Sequence, residues 1–340
     1  MSGWEIVPLD PFDRDAFDRW HAVYEAAEKA TGEHVGSPWT LEEIRALMQD
    51  RGTRSRSAGW SGVVDGEVVT AGWLRVPLRD NLDRAELAVH TAPGHTRRRY
   101  AAAMLAHLEQ AARERGRSVL VGTAAWPHDL GPDGTGSPGR ELARKAGYDL
   151  ALGDVKRMLR LPVADGVLEE LAAEAAAHHQ GYDLLSWAGP VPDELLADWA
   201  RLDALVETEA PMGDLELERT NPDPAAVREG EAMLVAQGRT AYHSVALDRD
   251  GRMVAFTQVV ATVHEPGRSY QWGTLVDRSA RGHRLGLAVK VANLRLLQAE
   301  APDITLVSTY NAESNAQMIQ VNDRIGFVPV ARMGEFQKRV

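Results

Sequence analysis

Cysteine is absent from this 340-residue chain, which removes disulfides, thiolate metal sites and a cysteine nucleophile at once. Lysine is scarce: of 38 basic residues all but five are arginine, a bias that accompanies alanine-rich helices and carries no functional assignment. Positive charge is in deficit, with 38 basic against 49 acidic residues and a net charge of −11. That balance excludes a general nucleic-acid binder, which needs a positive surface to displace counterions, and it suits the handling of amine compounds. No apolar run approaches the ~18 residues of a membrane-spanning helix. The opening Met1-Ser2-Gly3-Trp4-Glu5 has no basic segment ahead of an apolar stretch, so no secretory signal is read there and the cytoplasm is the expected location. Gly-x-Ser-x-Gly, His-Glu-x-x-His and Walker patterns are missing, and the adjacent His178-His179 lie ~100° apart on a helix, unsuited to sharing a metal. Metal-free chemistry is expected. Gly134 to Gly139 matches Gly-x-Gly-x-x-Gly, but it follows a proline-containing loop instead of a strand end and reads as a loop.

What is present describes a folded chain. Hydrophobic residues make up 44% and charged residues 26%, ordinary for a globular protein with a sizeable core, and the length suits two domains of ~100–200 residues. The two halves follow one plan. In the first, Phe17, Trp20, Val23 and Tyr24 recur at helical spacing, and Thr40 with Glu43 makes a capping-box pattern at a second helix. A hairpin about Asp65-Gly66 follows. Then come an extended run to Thr91, the basic Arg97-Arg98-Arg99, a helix to Arg115, a strand at Val119, a short helix from Ser137 and closing strands to Leu161. The second half repeats that order. Helices around Asp193 and Pro224 precede a hairpin about Asp250-Gly251, a strand Tyr270–Val276, a basic turn, a helix to Ala299, a strand Ile304–Thr309, a helix from Asn315 and a last strand Phe327–Ala331. Such a long-period repeat implies duplication of an α+β unit. Between the copies, Leu168–Ala177 is rich in helix formers and predicts a short helix. The expected domains are 1–162 and 183–340, with a linker and first-strand region over 163–182.

Chemistry concentrates in Thr274–Ala288. A β-branched strand ends, a turn containing Arg and Gly follows, and a helix with the buried stripe Leu287, Val291 and Leu294 opens at once. A helix N-terminus in that setting aims backbone N–H groups at one point, where pyrophosphate fits. An ordinary strand-to-helix turn carrying a solvated arginine cluster accounts for the same spacing.

Arg281-x-x-Arg284-x-Gly286 resembles the acetyl-CoA signature of the GNAT (Gcn5-related) N-acetyltransferases, Gln/Arg-x-x-Gly-x-Gly/Ala. Downstream, Asn311-Ala312-Glu313-Ser314-Asn315, Met318, Asn322 and Gly326-Phe327 are similar to the family's closing helix and its Gly-Phe ending. With the first half as a worn second copy, the chain resembles a tandem GNAT protein of the mycothiol-synthase-like architecture. The resemblance implies an α+β fold of two tandem GNAT domains, each a mixed, mostly antiparallel sheet flanked by helices. It implies acetyl-CoA as co-substrate, held by Leu275, Val276, Arg281, Gly282, His283, Arg284, Leu285, Gly286, Leu287, Ala288, Asn311 and Asn315. It implies a small-molecule amine that attacks the thioester directly, with no nucleic-acid or membrane partner, in a monomer or homodimer.

The departures from the pattern set further expectations. The family's usual Tyr, five residues before the Phe of Gly-Phe, is Asn322 here, and an amide cannot reprotonate a thiolate. Tyr270, Glu265 and Asn322 are the candidate catalytic residues; Asp214 and Glu216 are further carboxylates, and each acid reads equally as solvated surface. Tyr270 and Trp272 share a strand face and either line the acceptor pocket or pack in the core. Asn315 either caps its helix or touches the CoA arm. In the first copy Thr96-x-x-Arg99-x-Ala101 lacks both glycines, and Tyr100 and Ala102 are expected to crowd a phosphate cradle. That copy is expected to keep the fold and to bind CoA weakly or not at all. N-acetyl transfer is the expected function; a non-catalytic CoA-binding or structural tandem GNAT protein is the alternative, favoured by Asn322 and opposed by the retained Arg-Gly-His-Arg-Leu-Gly turn.

Overall fold

The computed structural model describes residues 3–340; Met1 and Ser2 of the stretch read for a signal lie outside the described residues. In chain order the elements are β1 (Trp4–Leu9), α1 (Arg14–Lys29), α2 (Leu41–Gln49), β2 (Ser55–Val64), β3 (Glu67–Pro77), β4 (Arg84–Thr91), α3 (Tyr100–Glu114), β5 (Val119–Pro127), α4 (Pro138–Lys145) and β6 (Asp149–Arg160). They continue with α5 (Val167–Ala176), β7 (Asp183–Ala188), α6 (Leu196–Asp203), α7 (Val206–Glu209), α8 (Pro224–Ala236), β8 (Arg239–Leu247), β9 (Met253–Thr262) and β10 (Arg268–Val276). The last are α9 (Leu285–Glu300), β11 (Leu306–Ala312), α10 (Ala316–Ile325) and β12 (Val328–Arg339). The chain forms two compact units. The first holds residues up to Val155 with Gly213–Glu218 and Val330–Val340; the second holds Lys156–Met212 and Arg219–Pro329.

In the first unit the strands run in the order β1-β2-β3-β4-β5-β12. All neighbours are antiparallel except the parallel pair β4 and β5. The capping box forms as its spacing predicts, Thr40 and Glu43 each bonding the other's backbone N–H. Asp65 and Gly66 both take positive φ, +50° and +85°, the conformation a two-residue hairpin turn demands. Phe17, Trp20, Val23 and Tyr24 of α1 are buried with Ile44 and Met48 of α2 in one cluster, and α3 buries Met104, Leu108 and Ala112 in another. The strand expected to end at Ala331 runs on to Arg339, and Ala331–Arg339 pairs antiparallel with Val119–Pro127. The charges of that stretch are matched: Lys338 Nζ lies 2.9 Å from Glu109 Oε1 and Arg84 lies 3.7 Å from Glu335.

The second unit repeats the scheme in the strand order β11-β10-β9-β8-β7, antiparallel except for the parallel pair β10 and β11. The predicted helix between the copies is α5, and it belongs to this unit's core: Leu168, Leu171 and Ala175 cluster with Leu287, Val291 and Leu294 of α9 and with Phe327. A second cluster joins Trp199 and Leu202 of α6 to Val245, Phe256 and Leu275. Both units share one irregularity. The β4–β5 ladder covers Arg84↔Val119 to Glu86↔Val121 and the β10–β11 ladder covers Arg268↔Leu306 to Tyr270↔Ser308, although all four strands run on beyond those pairs. Each parallel pair therefore opens into a cleft.

Candidate active site

The cleft of the second unit carries a feature that the first lacks. Between Gln271 and Thr274 of β10 the register against β9 slips by a residue, so Trp272 and Gly273 form a bulge where pairing with β11 ends. A bulge re-aims backbone groups out of the ladder. The β3–β4 register, by contrast, is continuous from Thr70↔Thr91 to Arg75↔Glu86. A side chain at Gly273 would meet the Phe256 ring at 3.3 Å and Val206 at 3.9 Å, so those two residues close the space behind the bulge. Leu275 packs in the core and Val276 pairs with Ala255.

The predicted turn forms at the end of β10. Asp277 accepts from the Ser279 N–H at 3.0 Å and from Arg201 Nη1 at 2.9 Å, fixing a short 3-10 turn over Arg278–Ala280. Gly282 takes φ +90° and Arg284 takes φ +53°. Arg284 is the N-cap of α9 and supplies no side-chain cap. The first intrahelical bond runs from Ala288 N to Arg284 O, so the N–H groups of Leu285, Gly286 and Leu287 face out of the helix end. A Cβ on Gly286 would sit 3.6 Å from Val276 Cγ2, an ordinary contact. Leu287 and Ala288 are buried beneath the turn. His283 places Nδ1 3.2 Å from the His178 carbonyl oxygen.

Arginine side chains around this turn are held by carboxylates. Glu209, the last residue of α7, accepts from Arg278 Nε at 2.7 Å and Arg281 Nη2 at 2.8 Å, and the Arg278 hydrogen bond leads the effects that hold its carboxyl below the usual range. Glu174 of α5 takes Arg284 at 2.5 Å and also pairs with Arg324. The donor set fits an anion at the helix end: free backbone N–H groups, a guanidinium pair and a glycine that leaves the approach open.

Of the catalytic candidates, Tyr270 and Glu265 come together. The Tyr270 hydroxyl donates to Glu265 Oε2 at 3.0 Å, and Arg268 holds the other carboxylate oxygen at 2.5 Å. Burial, then the Glu265 charge, pushes the Tyr270 phenol up. Trp272 is 41% exposed beneath the Arg239 guanidinium, so it does not pack in the core. Asn322 is 0% exposed and its Nδ2 donates to Asn311 Oδ1 at 2.6 Å, with Asn322 Oδ1 buried and unsatisfied. Asn315 caps α10, accepting from the Met318 N–H at 3.2 Å. Asp214 and Glu216 lie in the first unit, where Asp214 N–H bonds the Ala151 oxygen and Glu216 pairs with Arg339.

Sequence reading missed Tyr310 and Lys156. Tyr310 stands two residues past the last β10–β11 pair, and Lys156 lies with Nζ 5.9 Å from its ring centroid. The only signal was a Tyr at the cleft end of the fifth strand of the repeat. Glu209 was missed too, since its partners lie 69 and 72 residues away.

The first unit keeps the turn's backbone without its glycines. Arg97 takes φ +61° and Arg99, the N-cap of α3, takes φ +67°, the conformations of Gly282 and Arg284. Tyr100 does not crowd that turn: it is buried and stacks on Trp4 with ring centroids 4.7 Å apart.

Residues 20–126 match the family model described as Acetyltransferase (GNAT) family, so family likeness falls on the copy with the worn turn. No curated protein sequence matches. Among solved structures, a tandem GNAT protein from the clavulanic acid biosynthesis pathway is 28% identical with a TM-score of 0.81, covering 99% of this chain and 98% of that one. A GCN5-related N-acetyltransferase from Sphaerobacter thermophilus is 13% identical with a TM-score of 0.67, covering 100% and 96%. Saccharomyces cerevisiae N-myristoyltransferase with bound myristoyl-CoA is 12% identical with a TM-score of 0.60, covering 99% and 78%. The fold is therefore one shared with acyltransferases. Residues 20–126 thus resemble the GNAT acetyltransferase family, and the fold over the whole chain is similar to that of a tandem GNAT protein. Among the described residues, no helix is long and apolar enough to cross a membrane and no group of three metal-ligating side chains gathers.

Proposed function

We propose that this protein is an acetyl-CoA-dependent N-acetyltransferase acting on a small amine, with the donor held in the second unit. The observation that carries the reading is the β10 bulge at Trp272–Gly273, set where the β10–β11 ladder ends and followed in the chain by the turn that leads to the uncapped start of α9. The pyrophosphate is bound by the N–H groups of Leu285, Gly286 and Leu287 with Arg281, and the pantetheine arm lies along Leu275 and Val276. A backbone N–H released at the bulge is placed to meet the thioester oxygen as negative charge develops, the logic of an oxyanion hole. Glu265 takes the proton of the incoming ammonium, and Tyr270 orients that carboxylate. Phe256 and Val206 close the space behind Gly273, which supports a short acyl group. The 28%-identical relative belongs to a small-molecule biosynthetic pathway, which supports a metabolite acceptor.

A second reading, donor binding in the first unit, is favoured by the family match and by the positive-φ pair Arg97 and Arg99. Calorimetry with acetyl-CoA decides between them. One site per chain, abolished by Gly286→Val and untouched by Arg97→Ala, is the expected result; a site that survives Gly286→Val overturns it. Thiol release across an amine panel then tests turnover. Tight binding with no turnover on any amine would favour a non-catalytic CoA-binding protein.

A further inference from the structure

The transfer reaction leaves a thiolate that needs a proton, and the residues so far described do not supply one. Asn322 stands where the resemblance leads one to expect a phenol, but it is an amide whose Nδ2 is already given to Asn311. Tyr270 spends its hydroxyl on Glu265. A third candidate lies at the mouth of the cleft. Thr309 Oγ1 lies 3.3 Å from the Gln271 oxygen, which fixes β11 beside the residue that opens the bulge. Tyr310 is the next residue along. Ser308, two residues before it, pairs with Tyr270, so Tyr270 and Tyr310 stand on one face of neighbouring strands, and Lys156 is 0% exposed beneath the Tyr310 ring.

Resting on the donor site proposed above, we infer that Tyr310 is the general acid that protonates the departing CoA thiolate, with Lys156 as its positioning residue. The acceptor nitrogen forms the C–N bond, the C–S bond breaks, and its electron pair leaves on sulfur. The Tyr310 hydroxyl gives its proton to that sulfur and becomes a phenolate, which recovers a proton from solvent. The acceptor ammonium gives one proton to Glu265 before attack. Its second N–H proton, lost as the amide forms, passes to solvent in exchange for the one the phenolate recovers, so protons and charge balance. A buried ammonium beside the ring stabilises the phenolate, since attraction between opposite charges strengthens out of water. Among the groups near this phenol are Lys156 and, on the neighbouring strand, Tyr270, whose hydroxyl leads to Glu265 and Arg268.

The test needs no acceptor. A hydroxyl aimed at sulfur favours the thiolate, so free coenzyme A should bind more tightly as pH rises, whereas desulfo-coenzyme A should not. Each pH unit by which the bound thiol is lowered is worth ~10-fold. Calorimetry from pH 6.5 to 9 should show coenzyme A gaining about tenfold over the desulfo analogue. Tyr310→Phe should abolish the gain and Lys156→Met should reduce it, with desulfo-coenzyme A bound equally by all three proteins. A wild-type chain that binds neither ligand overturns the donor site itself. A gain that persists in Tyr310→Phe, or that is lost in Tyr270→Phe instead, overturns the role of Tyr310 and leaves the donor site standing.

Discussion

Lys290 is a cation buried in the middle of a core helix. It is 1% exposed on α9, and its ammonium lies 5.5 Å from the Phe327 ring centroid. Burial pushes the amine from its usual 10.5 down to about 7. In the unfolded chain the amine keeps its proton up to about 10.5, so between pH 7 and 10.5 the unfolded state binds more protons and stability rises with pH. Below 7 the whole cost is in place. At 1.36 kcal/mol per pH unit the full displacement amounts to roughly 5 kcal/mol, of which about 4 is felt at pH 7. Lys290→Met keeps an unbranched apolar chain in the same space and removes the charge. The variant should therefore be more stable at pH 7 by a few kcal/mol, because replacing a buried charge with a packed apolar group removes its desolvation cost. Urea unfolding at pH 7 and pH 9 checks this. Wild type should gain about 2 kcal/mol on Lys290→Met over that range. A variant no more stable than wild type at pH 7, or a difference that does not change with pH, would refute the reasoning.

Three further outcomes follow from contacts already described. Gly286→Ala should bind acetyl-CoA nearly as well as wild type, because its Cβ meets Val276 at an ordinary 3.6 Å; calorimetry in which the Val variant too binds like wild type would remove the turn from the donor site. Glu209→Gln should tighten coenzyme A binding by roughly threefold to tenfold in low salt and steepen its salt dependence, since Arg278 and Arg281 then have no carboxylate to leave; unchanged affinity would mean that the two arginines do not meet the donor. Lys338→Met should cost about 1–3 kcal/mol, seen as a lower urea midpoint, because Glu109 and the Ala146 oxygen both lose their half-buried ammonium partner.

Local rules with a fixed geometry were legible in the sequence. The capping box at Thr40 and Glu43, the Asp65-Gly66 turn and the strand–turn–helix passage at Val276–Leu285 all follow from short-range chemistry, and all three form. The edge strands β1 and β7 were not, because each pairs on one side only, so neither needs a full apolar alternation. The end of β12 was hidden by Arg332, Glu335, Lys338 and Arg339, charges whose partners are far away in the chain. At the site, the turn was readable because its residues are contiguous, whereas Tyr310, Lys156 and Glu209 join it across long separations that spacing does not report. Positive φ at Arg97 and Arg99 shows a further reason: missing glycines did not mean a lost backbone conformation, since arginine holds it here.

The strand that completes the first unit's sheet has a consequence for how the protein is made. Arg332 meets the His128 oxygen across 204 residues of chain, so Val119–Pro127 leaves the ribosome long before its partner Ala331–Arg339 exists. At ~5–20 residues per second that interval is roughly 10–40 s. Through it, one edge of β5 is an open template for strand addition by other chains. Nascent protein is thus most exposed to aggregation while the second half is still being translated, and a holdase that masks β5 would matter most in that window.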